Sequence, residues 1–141
     1  MEARAKSLGL GERVSFLGQL CVGDAVMAQL DLADLFVLPS HQEGLPRAMV
    51  EAMARSLPCI GSTVGGIPEL LPPEDMVPPG DATALASKIR EVVTNPERMA
   101  RMSARNLQKA KDYTDEVLSE QRKEFYRYVR EMTEVWLKQK N

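Results

Sequence analysis

The stretch that most restricts this chain is Leu35-Phe36-Val37-Leu38, a continuous apolar run closed by Pro39. Four apolar residues in succession offer no polar face to solvent, so the run predicts a strand buried on both sides, as in a parallel sheet. A parallel neighbour requires a crossover connection, usually a helix. The next residues supply one. Pro46 suits the first helical position, where its missing N–H and preset φ cost nothing, and Ala48, Met49, Val50, Ala52, Met53 and Ala54 continue from it. Pro58-Cys59-Ile60-Gly61-Ser62 predicts a second strand, followed by a turn at Gly65-Gly66, and Met76-Val77 a last short one, closed by Pro78-Pro79-Gly80. Before residue 35, Val14-Ser15-Phe16-Leu17 is a strand candidate stopped by Gly18, and residues 26–32 form a short amphipathic helix pattern. Alternating strands and helices with short connections predict an α/β fold: an incomplete Rossmann-like parallel sheet of about four short strands flanked by helices.

From Asp81 onward the pattern is helical. Asp81 is placed to cap a helix over residues 82–94, Pro96 restarts a helix after Asn95, and a third begins after Tyr113 with Thr114 or Asp115 as its cap. In that last helix Val117, Leu118, Phe125, Tyr128, Val129, Met132 and Trp136 recur at spacings near the helical repeat, giving a long apolar stripe. The expected organisation is one domain over residues 1–141, with an α/β part over 1–80 and a helical part over 81–141.

Composition excludes several classes. No apolar run approaches the roughly 18–20 residues that span a bilayer, and Met1-Glu2-Ala3-Arg4-Ala5-Lys6 has no signal-peptide apolar region. Cys21 and Cys59 fit no metal or redox spacing, and His41 is the single histidine, so neither a multi-histidine metal site nor a histidine-based triad is expected. A reducing cytoplasmic setting is the default expectation. Residues 1–87 hold 5 basic and 11 acidic side chains, and residues 88–141 hold 13 and 9. Because the basic residues are interspersed with acids, nucleic acid is not expected as a partner; solvated helix faces, or a basic surface meeting a membrane or a partner domain, account for the asymmetry.

The chemistry concentrates in residues 40–51. The chain leaves a buried strand at Pro39-Ser40, passes a loop containing Gly44 and enters a helix at Pro46. In open α/β sheets ligands bind beyond the carboxyl ends of the strands. A helix N-terminus presents unpaired N–H groups and partial positive charge, the natural seat of a diphosphate, and Gly44 lets backbone approach a ligand closely. Glu43 precedes the helix and Glu51 lies inside it. Carboxylates repel phosphate but accept from hydroxyls, so the two are expected to hold sugar hydroxyls on either side of the anion. On spacing alone, Glu51 equally forms an i,i+4 ion pair with Arg47 and Glu43 equally favours the helix dipole.

Pro39-Ser40-x-x-Glu43-Gly44-Leu45-Pro46-x4-Glu51-Ala52-Met53-Ala54, then Pro58, then Gly65-Gly66-Ile67-Pro68-Glu69, resembles the signature of family 4 glycosyltransferases. Val14-x-Phe16-Leu17-Gly18 before it and Pro78-Pro79-Gly80-Asp81 after it match that pattern in the same order, so the likeness covers about residues 10–112. The resemblance implies the donor-binding C-terminal domain of a GT-B enzyme that moves a sugar from a nucleotide-sugar with retention at the anomeric carbon, without metal or other cofactor, in cell-surface polysaccharide or glycolipid synthesis. It implies Glu43 as the catalytic candidate, contacting donor-sugar hydroxyls. It places backbone amides among Gly44, Leu45, Arg47 and Ala48 on the diphosphate, Glu51 on the ribose, and Gly18 and Leu20 near the nucleobase.

One departure stands out. The family has an earlier strand followed by an Arg and a Lys that neutralise the diphosphate; no such segment precedes Val14, and the acceptor-binding N-terminal domain is likewise expected to be missing. The isolated segment is therefore expected not to catalyse alone. Without the first two strands of the usual order, Val14–Leu17 and Leu35–Leu38 would be separated, which predicts rearrangement of the sheet or self-association with a second copy. The stripe of the last helix resembles the family helix that crosses back to the N-terminal domain, and peripheral membrane contact of the full enzyme stays open. A non-catalytic nucleotide-binding or helical partner-binding module is the rival reading. Of the smaller features, His41 is expected as an exposed loop residue, Cys59 as a buried strand residue and Met99 and Met102 as packing; Glu69 is equally an acid near the nucleotide or a helix-turn acid.

Overall fold

The computed structural model describes residues 1–21 and 23–140, in two units, residues 1–32 and 33–141.

The first unit contains α1 (Glu2–Ser7) and α2 (Asp24–Asp31). Between them the expected strand at Val14–Leu17 does not form: these residues adopt no regular structure, and Val14, Phe16 and Leu17 are 38, 44 and 54% exposed. The reason is the nature of a strand. Its N–H and C=O groups need a laddered neighbour, and among the described residues no strand pairs with this run.

The second unit holds β1 (Phe36–Leu38), α3 (Arg47–Ala54), β2 (Cys59–Ser62), α4 (Ile67–Leu70), β3 (Met76–Val77), α5 (Ala82–Val93), α6 (Pro96–Ala110) and α7 (Asp115–Lys140). Short 3-10 turns at Pro73–Asp75 and Lys111–Tyr113 precede β3 and α7. The sheet has three strands in the order β1-β2-β3, all parallel, rather than about four. Phe36, Val37 and Leu38 lie opposite Cys59, Ile60 and Gly61, while Gly61 and Ser62 lie opposite Met76 and Val77. β2, paired on both sides, is wholly buried; β1, an edge strand, is only half-buried, which corrects the expectation of burial on both faces.

Helices cover this sheet by their apolar positions. α3 buries Met49, Ala52 and Met53 without residual exposure, at the i, i+3, i+4 spacing of one helix face. Ile60, Val92 and Met102 form a further core, with Val37, Leu85, Ile89 and Met99 packed against it, so Met99 and Met102 serve packing. Asp81 caps α5 by accepting from the Ala84 N–H at 2.8 Å, and Asn95 caps α6 by accepting from the Arg98 N–H at 2.9 Å. Thr114 sits before α7 and its Oγ1 lies 3.5 Å from the Val117 N–H.

Two polar contacts tie α6 to the sheet layer. Asp75, 1% exposed, receives Arg98 at 2.9 Å on one carboxylate oxygen and Arg105 on the other. Asn106, fully buried, donates to the Leu57 carbonyl at 2.8 Å. α7 differs from every other long helix in burying no residue.

Candidate functional site

Pro39, Ser62 and Val77 mark the carboxyl ends of β1, β2 and β3. All three line a cavity of about 220 Å3, completed by Pro78, Gly80 and Leu85 among others. Here the loop between β1 and α3 is fixed by backbone and hydroxyl contacts. The Ser62 hydroxyl donates to the Ser40 carbonyl, anchoring the loop to the central strand. The Ser40 hydroxyl in turn donates to Glu43 Oε1 at 2.6 Å, which holds the half-buried carboxylate in place.

The Gly65-Gly66 turn presses against the same loop. The Gly66 N–H donates to the Gly44 carbonyl at 2.8 Å. A Cβ on Gly65, whose φ is +53°, would lie 1.8 Å from the Glu43 carbonyl oxygen, and one on Gly66 would lie 2.8 Å from that of Gly44. Two glycines are thus required for backbone to meet backbone, and the contact sets where Glu43 stands. Gly44 is the reverse case: a Cβ there meets nothing within 4 Å. Folding does not require a glycine at this position.

Pro46 adopts extended backbone as the N-cap, so α3 begins one residue later than expected, at Arg47. No side chain caps this end. The first N–H groups to find helical partners are those of Met49 and Val50, which donate to the Pro46 carbonyl. The N–H groups of Arg47 and Ala48 are therefore the ones that an anion would meet. Arg47 and Ala48 are exposed, and Leu45 is 43% exposed. Glu51, half-buried one turn further on, shares with Leu45, Arg47 and Val50 a second cavity of about 380 Å3. The structure thus gathers Glu43, Gly44, Leu45, Arg47, Ala48 and Glu51 around one loop and one helix start. Gly18, at φ +64° with open space around it, and the half-buried Leu20 lie in the first unit.

His41 is exposed, as expected, beside the Pro-Pro-Gly turn: a Cβ on Gly80 would meet its Cε1 at 3.1 Å. Glu69 is exposed on α4. Cys59 is fully buried in β2, and burial pushes its thiol up to about 12, which removes it as a nucleophile. Among the described residues no three His, Cys, Asp or Glu side chains are grouped to hold a metal ion. No helix there is long and apolar enough to cross a membrane.

Sequence reasoning missed three parts of this arrangement. A Gly-Gly pair reads only as a turn, and nothing local reveals which backbone it must approach. Ser40 carried a signal, since a hydroxyl three residues before an acid in a loop reaches back readily. Tyr113 and Asp115, which line the second cavity, gave none, because they are distant in sequence.

A family model described as "Glycosyl transferases group 1" matches residues 1–109. The N-acetyl-alpha-D-glucosaminyl L-malate synthase of Bacillus anthracis is 36% identical over 103 residues, which is 71% of this chain and 26% of that protein. The putative colanic acid biosynthesis glycosyltransferase WcaL of Salmonella typhimurium is 43% identical over 75 residues, 47% of this chain and 18% of that protein. The chain thus spans about a quarter or less of the length of these relatives. Among solved structures, the sucrose-phosphate synthase of Thermosynechococcus elongatus superposes with a TM-score of 0.80 at 30% identity, covering 91% of this chain and 33% of that one. HepE of Anabaena, solved in complex with UDP, gives a TM-score of 0.79 at 25% identity, with 89% and 35% covered.

Proposed function

Because the chain belongs to the glycosyl transferases group 1 family, we propose that it forms the donor-binding part of a sugar transferase whose substrate is a nucleotide-diphosphate sugar, used with retention at the anomeric carbon. The observation that carries this reading is the uncapped N-terminus of α3 between two carboxylates, Glu43 before it and Glu51 within it. The diphosphate sits on the N–H groups of Gly44, Arg47 and Ala48, where the helix dipole offsets its charge. Glu51 accepts from the ribose hydroxyls. Glu43, oriented by Ser40, accepts from hydroxyls of the donor sugar and stands nearest the bond that breaks. When the C1–oxygen bond cleaves, negative charge grows on the leaving diphosphate, and a preorganised helix end stabilises it in the transition state.

No metal or other cofactor takes part. In this reading an Arg and a Lys that follow an earlier strand of the family's domain complete the diphosphate site, and an N-terminal GT-B domain supplies the acceptor. UDP in the HepE structure supports the nucleotide class. The putative colanic acid biosynthesis glycosyltransferase WcaL among the relatives supports a role in polysaccharide synthesis.

Titration calorimetry with millimolar UDP- and GDP-sugars tests this. Saturable binding is expected, weakened about tenfold or more in Glu51→Ala, which removes charge-assisted hydrogen bonds. Absence of binding by every nucleotide-sugar, or equal binding by the variant, contradicts the site.

A further inference from the structure

The apolar stripe of α7 takes no part in the proposed site. The helix buries no residue, and Phe125, Tyr128, Met132 and Val135 on it are exposed. The family model that matches the chain ends at residue 109, before this helix begins.

The spacing of the stripe says what kind of surface fits it. Leu118, Phe125 and Met132 stand seven residues apart, and Gln121, Tyr128 and Val135 form a second row with the same repeat. A seven-residue repeat drifts by about 20° per heptad around a straight α-helix, so it keeps to one seam only when two helices wrap around each other. A flat sheet or a lipid surface makes no such demand. Trp136 stands beside the two rows, with Lys140 Nζ 4.3 Å from its ring centroid.

Charge separates the partners further. α7 carries six acidic and six basic side chains, whereas a helix that lies on a membrane is rich in Lys and Arg on its polar face. The signs are also ordered: Asp115 and Glu116 occupy the first turn, Lys138 and Lys140 the last. A second α7 running antiparallel brings each acidic end against a basic end, while a parallel one sets like against like. Antiparallel pairing also keeps the two sheets apart, at opposite ends of a helix about 39 Å long.

We propose that the stripe is a self-association surface: two copies of the chain pair through α7 as an antiparallel two-helix coiled coil, with Leu118, Phe125, Tyr128, Met132 and Val135 in the seam. The sheet edges, where the sequence leads one to expect self-association, take no part. From Leu118 to Val135 the seam is shorter than three heptads, so the dimer is weak, with a dissociation constant of about 100 µM. At the low micromolar concentrations of an unfolding experiment the chain is monomeric.

The test is sedimentation equilibrium of the full chain from about 5 to about 500 µM, a range that brackets that constant. A monomer–dimer equilibrium is expected. Phe125→Glu with Met132→Glu should weaken it about tenfold or more, while Tyr126→Glu with Leu137→Glu, on the outer side of the same helix, should leave it within about twofold. Both pairs add the same charge to α7, so the difference between them reads the face. Lys138→Glu should weaken the dimer, and adding Asp115→Lys should restore it. A chain that stays monomeric throughout, or a dimer that ignores the Phe125 and Met132 pair, overturns the proposal. A dimer lost in that pair and unchanged by Lys138→Glu contradicts the antiparallel arrangement. A monomer that instead binds anionic phosphatidylserine vesicles through the stripe assigns the surface to lipid and overturns it as well.

Discussion

α3 and α7 carry the same kind of sequence signal and end in opposite surroundings. Each has apolar residues at helical spacing. In α3, Met49, Ala52 and Met53 have no exposed surface, whereas in α7 Phe125 and Tyr128 are each 60% exposed and Trp136 54%. The crossover from β1 to β2 forces α3 onto the sheet, because two adjacent parallel strands can be joined in no shorter way. Nothing comparable constrains α7, which follows the last strand by two helices. An amphipathic period names a face to be covered and leaves open what covers it.

This comparison can be broken by substitutions on each side. Gly65→Ala should have the largest effect. Its Cβ would lie within van der Waals overlap of the Glu43 carbonyl, at a φ of +53°, and we expect a loss of about 4 kcal/mol in urea unfolding. A variant as stable as the parent would mean that the loop carrying Glu43 is not clamped by the glycine turn. Asp75→Ala should cost about 3 kcal/mol, since it leaves Arg98 and Arg105 without the buried carboxylate they share; a cost below about 1 kcal/mol would make that contact incidental.

The thiols give a second contrast, read at pH 8 with iodoacetamide and mass spectrometry. Cys59 is buried and its thiol is raised to about 12, so it stays protonated throughout the range below that value; Cys21 is exposed. One adduct, on Cys21, is expected in the native chain and two in denaturant. Early labelling of Cys59 would show that β2 opens. The smallest effect belongs to α7: Trp136→Ala should change stability by no more than about 0.5 kcal/mol, the usual range for surface positions. A loss of about 2 kcal/mol would show that α7 is packed in solution and would end the contrast with α3.

How much of this was legible in the sequence follows the same division. Leu35–Leu38, Cys59–Ser62 and Met76–Val77 were readable as strands because their neighbours follow within short crossovers. Val14–Leu17 looked equally strand-like, and no partner strand stands beside it among the described residues. Caps at Asp81 and before α7 were readable because a capping side chain acts within three residues. Residues 40–51 showed the strand, loop and helix start that gather the site. What the sequence withheld were contacts between distant segments: Gly65-Gly66 against Glu43-Gly44, Asp75 with two α6 arginines, and Tyr113 and Asp115 across from Glu51. Such contacts depend on the packed backbone, and no local pattern encodes them.

The central claim is that the α3 N-terminus is a diphosphate seat. Amide chemical-shift mapping of the isotopically labelled chain during a nucleoside diphosphate titration addresses it most directly. The account predicts the largest saturable shifts at the N–H groups of Gly44, Arg47 and Ala48, with Gly44→Ala folding as stably as the parent and binding more weakly. Saturable shifts confined to other segments, with those three amides unmoved, would contradict it.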